Sequence, residues 1–186
     1  NDSYCMTNLN SNTLGMYEKD TGRAVVCNIA THPRQTDKVN AFAVETLQQY
    51  PSLIPLGSLH PQSERPEEVL DGLISHGIRG IKIQPDYMGT DLDDPAFEPV
   101  LSLCEEKGVF VVTHAGLDPL SPDHIHCTPA MVRPVTEAFP RLQLVVAHMG
   151  GLACEEDTLH LLCGRDVYRD TSLLTYRPDK EEILKQ

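Results

Sequence analysis

The sequence predicts an α/β fold in which parallel strands alternate with helices. Short apolar runs rich in β-branched residues, such as 109–112 and 144–146, are bounded by glycine and proline, which is typical of strands buried on both faces of a sheet. Between these runs, apolar residues recur at helical spacing. Successive strands begin roughly 30 residues apart, which is the length of a βαβ unit. Six such units favour a barrel-like or an open parallel sheet with right-handed crossovers.

The elements follow one another in a regular order, and several helix ends carry clear signals. The predicted strands are 23–29, 53–59, 78–83, 109–114, 142–148 and 166–170. The predicted helices are 35–49, 66–76, 94–107, 128–139 and 154–163, with a weaker helix at 10–19 and a final one from Pro178. Asp94 and Thr128 each precede a proline, which suits a helix N-terminus, and Gly108 suits a helix C-terminus. A complete eight-unit barrel has about 250 residues, so this chain is about two units short.

The sequence has 186 residues, of which 40% are hydrophobic and 23% are charged. This length and composition are typical of one globular domain with its own core. The net charge of -12 argues against nucleic acid or an anionic membrane surface as a partner. The sequence contains no long apolar run and no signal-peptide pattern, and its six cysteines form no CxxC pair. We therefore expect a reduced, cytoplasmic protein whose partner is a small-molecule substrate.

Two histidines follow predicted strands in the same local pattern. His114 ends the run FVVTHAG, and His148 ends the run VVAHMGG, each followed closely by glycine. In parallel α/β folds, ligands bind at the C-terminal ends of the strands, and in barrels the catalytic residues lie there. Histidine serves as a metal ligand and as a general base, so both roles are open for this pair.

The sequence resembles the amidohydrolase-related branch of the metal-dependent amidohydrolase superfamily from about residue 23 to 186. The resemblance rests on four runs that occur in this order: GIRGIKIQP, FVVTHAG, VVAHMGG and VYRDTS. This resemblance implies a distorted (β/α)8 TIM-like barrel with one or two divalent metals at its C-terminal mouth. It also implies hydrolysis of amides, esters or lactones, or decarboxylation of aromatic or related carboxylic acids. The metal is expected to be Zn²⁺, with Mn²⁺ possible where oxygen ligands dominate.

The resemblance assigns roles to individual residues. His114 matches the metal ligand on the fifth strand of the family barrel. His148 matches the histidine on the sixth strand, which is a ligand to a second metal in binuclear members and a polarising or proton-handling residue in mononuclear ones. Lys82 lies where binuclear members carry a bridging carboxylated lysine; the alternative is a lysine that reaches solvent from the strand end. Asp170 is expected either to orient a ligand histidine or to cap the turn that contains Ser172.

Two features of the family are missing from the sequence. There is no His-x-His pair after a first strand, and no aspartate of an eighth strand. We therefore expect that 1–186 is a single barrel domain lacking the regions of strands one and eight, and that the sequence is part of a longer protein. His124-Ile125-His126 has the same spacing, but it lies in a proline-rich loop, so we do not assign it as the metal pair. It could instead lie over the site and touch substrate.

Three functions remain open at this point. The leading one is a hydrolase in which His114 helps to hold a metal that activates water, while His148 and Asp170 serve catalysis. The second is a metal-dependent decarboxylase that uses the same site. The third is a non-catalytic, barrel-derived domain that binds a metabolite. An incomplete barrel would also expose a sheet edge that a second copy of the chain could cover, so a homo-oligomer is possible.

Overall fold

The computed structural model describes residues 23–173, and all six predicted strands occur in it. The strands are β1 (Ala24–Cys27), β2 (Leu53–Leu56), β3 (Gly80–Ile83), β4 (Phe110–Thr113), β5 (Leu144–Val146) and β6 (Tyr168–Arg169). Every strand pair is parallel. The predicted helices at 10–19 and from Pro178 lie outside the described residues. The alternating α/β prediction is therefore confirmed over this range.

The strands follow chain order across the sheet. β1 pairs with β2, and β3 to β6 form a second ladder in the order β3-β4-β5-β6. Gly57, directly after β2, joins the two ladders: its N–H donates to the Gly80 carbonyl at 3.0 Å, and its carbonyl accepts from the Lys82 N–H at 2.8 Å. A Cβ at this position would lie 2.4 Å from a Leu73 methyl group, so any larger residue here would force the buried Leu73 side chain to move. The sheet is thus continuous, as part of a barrel wall requires.

Six α-helices connect the strands. They are α1 (Thr36–Gln49), α2 (Pro66–Ser75), α3 (Pro85–Met88), α4 (Glu98–Lys107), α5 (Pro129–Ala138) and α6 (Glu155–Leu161). The predicted caps are present. The Asp94 side chain accepts from the Ala96 N–H, the Thr128 side chain accepts from the Met131 N–H, and Gly108 is left-handed at the end of α4. Within residues 23–173, no helix is long and apolar enough to cross a membrane.

The core lies between the sheet and the helices. Alternate strand residues, including Ile81, Ile83, Val111 and Leu144, belong to one buried apolar cluster with the helix faces. Lys82 lies between two of these positions and therefore projects to the opposite face of the sheet. This alternation sends the side chains of Ile81, Ile83 and Val111 toward the helices and that of Lys82 toward the barrel interior, in register with Val112 of β4.

Two local features differ from the sequence prediction, and both occur at strand ends. The segment after β3 was expected to be a loop, but it contains α3, a single helical turn that begins at a proline. The strand expected at 142–148 ends at Val146, because His148 and Met149 both adopt left-handed φ values of 60° and 61°. Such conformations in residues other than glycine are uncommon and cluster at functional sites.

Candidate active site

His114 lies directly after β4 and is almost fully buried, with 5% of its surface exposed. Its backbone N–H donates to the carbonyl of Ile83 at the end of β3. Its Nδ1 lies 3.0 Å from Nε2 of His148. Burial, with further contributions from His148 and Lys82, lowers the pKa of His114 to about 3. The imidazole is therefore neutral at physiological pH.

His148 lies just beyond β5, and both its backbone and its ring make hydrogen bonds to the segment after β6. Its backbone N–H donates to Oδ1 of Asp170 at 3.0 Å, and its Nδ1 lies 3.0 Å from the carbonyl oxygen of Ser172. A carbonyl oxygen can only accept, so Nδ1 of His148 carries the proton and Nε2 is an acceptor. Burial lowers the pKa of His148, although Ser172 and Asp170 oppose this effect. His148 is thus a neutral, oriented base.

The hydrogen-bond chain also fixes the tautomer of His114. Because Nε2 of His148 accepts, Nδ1 of His114 must donate, and Nε2 of His114 is left with a lone pair. This atom is buried and has no hydrogen-bond partner among residues 23–173. It faces two carboxylates instead: Oδ2 of Asp86 at 3.9 Å and Oδ2 of Asp118 at 3.8 Å. Three acceptor atoms therefore converge in the interior.

Asp86 and Asp118 are the site residues that sequence reasoning missed. Asp86 lies on α3 with a fully buried side chain, and its Oδ2 has no partner among the described residues. Burial raises its pKa, against the effect of the His126 hydrogen bonds. Asp118 accepts from Nε2 of Gln84 at 3.0 Å and from the N–H of Leu120 at 2.8 Å. The only available signal was an aspartate within four residues of a predicted strand end.

Lys82 lies inside β3 and is 7% exposed, so the solvent-reaching alternative is wrong. The side chain faces the barrel interior because its neighbours in the strand face the helices. Burial lowers its pKa from 10.5 to about 8, although Cys27 and Asp170 act in the opposite direction. Lys82 therefore belongs to the same interior as the histidines, while its role as a metal ligand remains a prediction.

Asp170 follows β6 and caps the turn that contains Ser172, which is one of the two alternatives considered for it, while its catalytic role remains a prediction. Its Oδ1 accepts from the backbone N–H of His148, which orients that residue. The same oxygen accepts from the backbone N–H of Ser172 at 2.9 Å and from the Ser172 hydroxyl, which closes the turn. Burial tends to raise the pKa of Asp170, but these hydrogen bonds outweigh it and hold the pKa below its usual range.

The loop histidines form a second imidazole–carboxylate group at the rim of the site. Nε2 of His124 lies 2.7 Å from Oδ1 of Asp91, and the rings of His124 and His126 meet edge to face. Ligand atoms of Asp91, His124 and His126 all lie within 4.8 Å of one another. His126 also contacts Asp86, with Nδ1 of the histidine 3.3 Å from Oδ1 of the carboxylate. The loop therefore reaches the buried centre through Asp86.

This combination of a parallel barrel wall with a buried histidine and a half-buried one at its strand ends agrees with the comparison to known families. A sequence profile described as amidohydrolase matches residues 23–183. The chain belongs to the amidohydrolase family. No curated protein matches the sequence significantly.

Solved structures with a TIM-barrel fold resemble this chain. A TIM-barrel protein from Bordetella bronchiseptica is 21% identical with a TM-score of 0.74, and the match covers 95% of this chain and 64% of that one. A probable 2-pyrone-4,6-dicarboxylic acid hydrolase from Acinetobacter baumannii is 18% identical with a TM-score of 0.62, covering 94% and 65%. A 5-carboxyvanillate decarboxylase from Novosphingobium aromaticivorans, with bound manganese, is 22% identical with a TM-score of 0.52, covering 68% and 41%. The chain thus spans less than two thirds of these proteins' lengths, and its strands form part of such a barrel.

Proposed function

We propose that this protein is a metal-dependent hydrolase that cleaves an amide, ester or lactone bond of a small molecule. The observation that carries this proposal is the convergence of three buried acceptor atoms on one point. Nε2 of His114 carries a lone pair, and Oδ2 atoms of Asp86 and Asp118 face it at 3.9 and 3.8 Å. Nε2 of His114 and Oδ2 of Asp86 are buried and have no hydrogen-bond partner among the described residues, whereas Oδ2 of Asp118 accepts from Gln84. Leaving buried acceptors without a donor is costly, and a cation would satisfy the first two while also attracting the Asp118 carboxylate.

The donor set fits a divalent metal. His114 and the two carboxylates offer one nitrogen and two oxygens, which suits Zn²⁺ and, because oxygens are in the majority, also Mn²⁺. These three residues would hold the ion, with Gln84 orienting Asp118 through its 3.0 Å hydrogen bond. A divalent ion held there would supply Lewis-acid chemistry, activating a water and polarising the substrate carbonyl.

His148 is best placed for proton transfer. Its ring nitrogens link Ser172, at Nδ1, to His114, at Nε2, so His148 lies in a hydrogen-bond chain through which a proton could pass to or from the His114 centre. Its lowered pKa keeps it neutral, as a general base requires. Asp170 acts through His148, because its hydrogen bond to the backbone N–H holds the backbone of that residue at the end of β5.

Decarboxylation of an aromatic or related carboxylic acid is the second candidate, and Lys82 is the observation that favours it. Decarboxylation needs a proton donor rather than an attacking water. A buried lysine with a pKa of about 8 still carries its proton near neutral pH and can release it within the site. The resemblance to a 5-carboxyvanillate decarboxylase supports the same candidate.

The experiment that separates these reactions is a parallel substrate screen of the full protein, supplied with Zn²⁺ or Mn²⁺. Lactones, amides and esters are assayed for acid release, and hydroxybenzoates are assayed for CO₂ release. Acid release that is lost in His114→Ala and retained in a control variant, His160→Ala on the exposed face of α6, supports the hydrolase. CO₂ release that is lost in Lys82→Met supports the decarboxylase. Turnover that is unchanged by His114→Ala contradicts both.

A further inference from the structure

We propose that Asp91, His124 and His126 form a second divalent-cation site, separate from the His114 centre. The three residues come from two segments: Asp91 follows α3, and the histidines belong to the loop between β4 and α5. Their ligand atoms lie within 4.8 Å of one another, and Nε2 of His124 is 2.7 Å from Oδ1 of Asp91. This outer site does not depend on the reaction proposed above.

The first supporting observation is the environment of His126. Its Nδ1 lies 3.3 Å from Oδ1 of Asp86 and 3.4 Å from Oγ of Ser121, which leaves Nε2 as the ring nitrogen available to a ligand. Histidines that bind metals almost always donate their other ring N–H to a carboxylate, a carbonyl or water. The buried Asp86 supplies this carboxylate, so His126 has the outer-shell partner expected of a metal ligand.

The second observation is that the ligand-bearing segments are already fixed to each other. The N–H of Leu92, a fully buried residue next to Asp91, donates to the carbonyl of His126 at 2.9 Å. The hydroxyl of Ser121 donates to the carbonyl of His124 at 2.8 Å. Cation binding therefore requires little ordering of the backbone, and a preorganised site binds more tightly than a mobile one.

The chemistry of the three side chains identifies the class of ion. Two imidazoles and one carboxylate suit Zn²⁺ and similar transition-metal ions, whereas Mg²⁺ and Ca²⁺ prefer all-oxygen sites. The His124 side chain is 55% exposed and that of Asp91 is 34% exposed, so an ion reaches the group from solvent. When bound, it would tie the β4–α5 loop to the segment after α3. His126 would then hold Asp86 in place, which makes the outer site a positioning device for the inner one.

The test is zinc stoichiometry on the full chain, stripped of metal and then equilibrated with Zn²⁺ and dialysed. Plasma mass spectrometry gives zinc per chain, and competition with a chromophoric chelator gives affinity. Asp91→Asn and His124→Ala are the test variants. Asp123→Asn, an exposed acid in the same loop, and His160→Ala, an exposed histidine on α6, are the matched controls. Mg²⁺ replaces Zn²⁺ in a parallel titration, and circular dichroism verifies that each variant folds.

We expect both test variants to lose one zinc equivalent, or to bind it roughly 100-fold more weakly, while the controls match the wild type. His114→Ala should retain the equivalent that Asp91→Asn loses, so failure of the inner site and failure of the outer site can be told apart. The proposal is overturned if Asp91→Asn and His124→Ala bind zinc as the wild type does. It is also overturned if Mg²⁺ occupies the outer group as tightly as Zn²⁺.

Discussion

Two imidazole–carboxylate groups lie next to each other near the carboxyl ends of the strands, and they differ chiefly in burial. In the inner group, His114 is 5% exposed and its Nε2 faces Asp86 and Asp118 without a hydrogen-bond partner among the described residues. In the outer group, the His124 side chain is 55% exposed and pairs with Asp91 at 2.7 Å. The exposed residues satisfy one another, whereas the buried ones present acceptors that only a cation or a donor can satisfy.

Asp86 is the residue that the two groups share. One of its carboxylate oxygens accepts from His126 in the loop, and the other faces His114 in the interior. A carboxylate that is fixed on one side and unpartnered on the other can transmit the position of the loop to the buried centre. The comparison therefore predicts a large effect on activity from a change in the inner group and an intermediate effect on zinc affinity from a change at Asp86. A change in the outer group should have only a small effect on the stability of the metal-free protein.

The largest effect should come from His148→Gln, which removes the inner proton-handling group. General acid–base residues contribute roughly 10²- to 10⁴-fold to rate, and we expect kcat/KM to fall within this range. Steady-state kinetics on the substrate found in the screen measures it, with His160→Gln as the control. A His148→Gln enzyme that keeps nearly full kcat/KM would show that the hydrogen-bond chain has no role in proton transfer.

Asp86→Asn should have the next largest effect, because the variant keeps the size of the side chain but removes the shared charge. We expect the affinities of both groups for Zn²⁺ to fall, by roughly 10- to 100-fold. Competition titration of the metal-stripped variant measures both, with Asp123→Asn as the control for an added amide. A change at one group with none at the other would contradict the view that Asp86 joins them.

Burial of His114 should make the stability of the metal-free protein depend on pH. Well above pH 6.5 the imidazole is neutral in both the folded and the unfolded state and contributes nothing to this dependence. As pH falls below 6.5, His114 takes up a proton in the unfolded chain, whereas in the folded chain it takes up that proton only near pH 3. Stability should therefore fall by about 1.4 kcal/mol per pH unit for this residue. Urea unfolding between pH 6.5 and about pH 5 measures the slope.

His114→Asn tests the origin of that slope. The amide cannot bind the proton, so the stability of the variant should fall less steeply over the same pH range. The difference in slope should correspond to about one fewer proton taken up on unfolding. Equal slopes in the two proteins would show that His114 is not the group that titrates on unfolding.

The smallest effect should come from His124→Ala in the absence of metal. An exposed pair of this kind contributes about 0 to 1 kcal/mol, so we expect the free energy of unfolding to change by less than about 1 kcal/mol. Urea unfolding of metal-free and zinc-loaded protein provides the comparison. A loss of several kcal/mol without metal would mean that the outer group is part of the folding core rather than a ligand cluster.

The strands could be predicted from the sequence, because runs such as 109–112 and 144–146 combine β-branched residues with glycine boundaries. The histidines could be predicted too, since His114 and His148 follow these runs directly. Asp86 and Asp118 could not, because each is a single carboxylate in a segment without periodicity. Their importance comes from the turn of α3 and from the loop after β4, which place them against His114. Tertiary contacts of this kind leave no local pattern.

His124 and His126 form a recognisable sequence motif whose role could not be predicted from the sequence. A His-x-His motif is easy to recognise, but its location in a loop argued against the metal pair of the family. The structure places the motif beside Asp91, a residue more than thirty positions earlier in the chain. The sequence contained the two imidazoles but gave no indication of the carboxylate that completes the group.

The most direct test of the central claim, that His114, Asp86 and Asp118 hold a divalent cation, is metal content per chain in an Asp91→Asn background. This background removes the outer group, so any remaining ion reports on the interior. Protein purified without chelator is analysed by plasma mass spectrometry, with and without the additional His114→Ala change. The account predicts about one equivalent of zinc or manganese in Asp91→Asn and its loss in the double variant. Equal metal in the two proteins, or none in either, would contradict it.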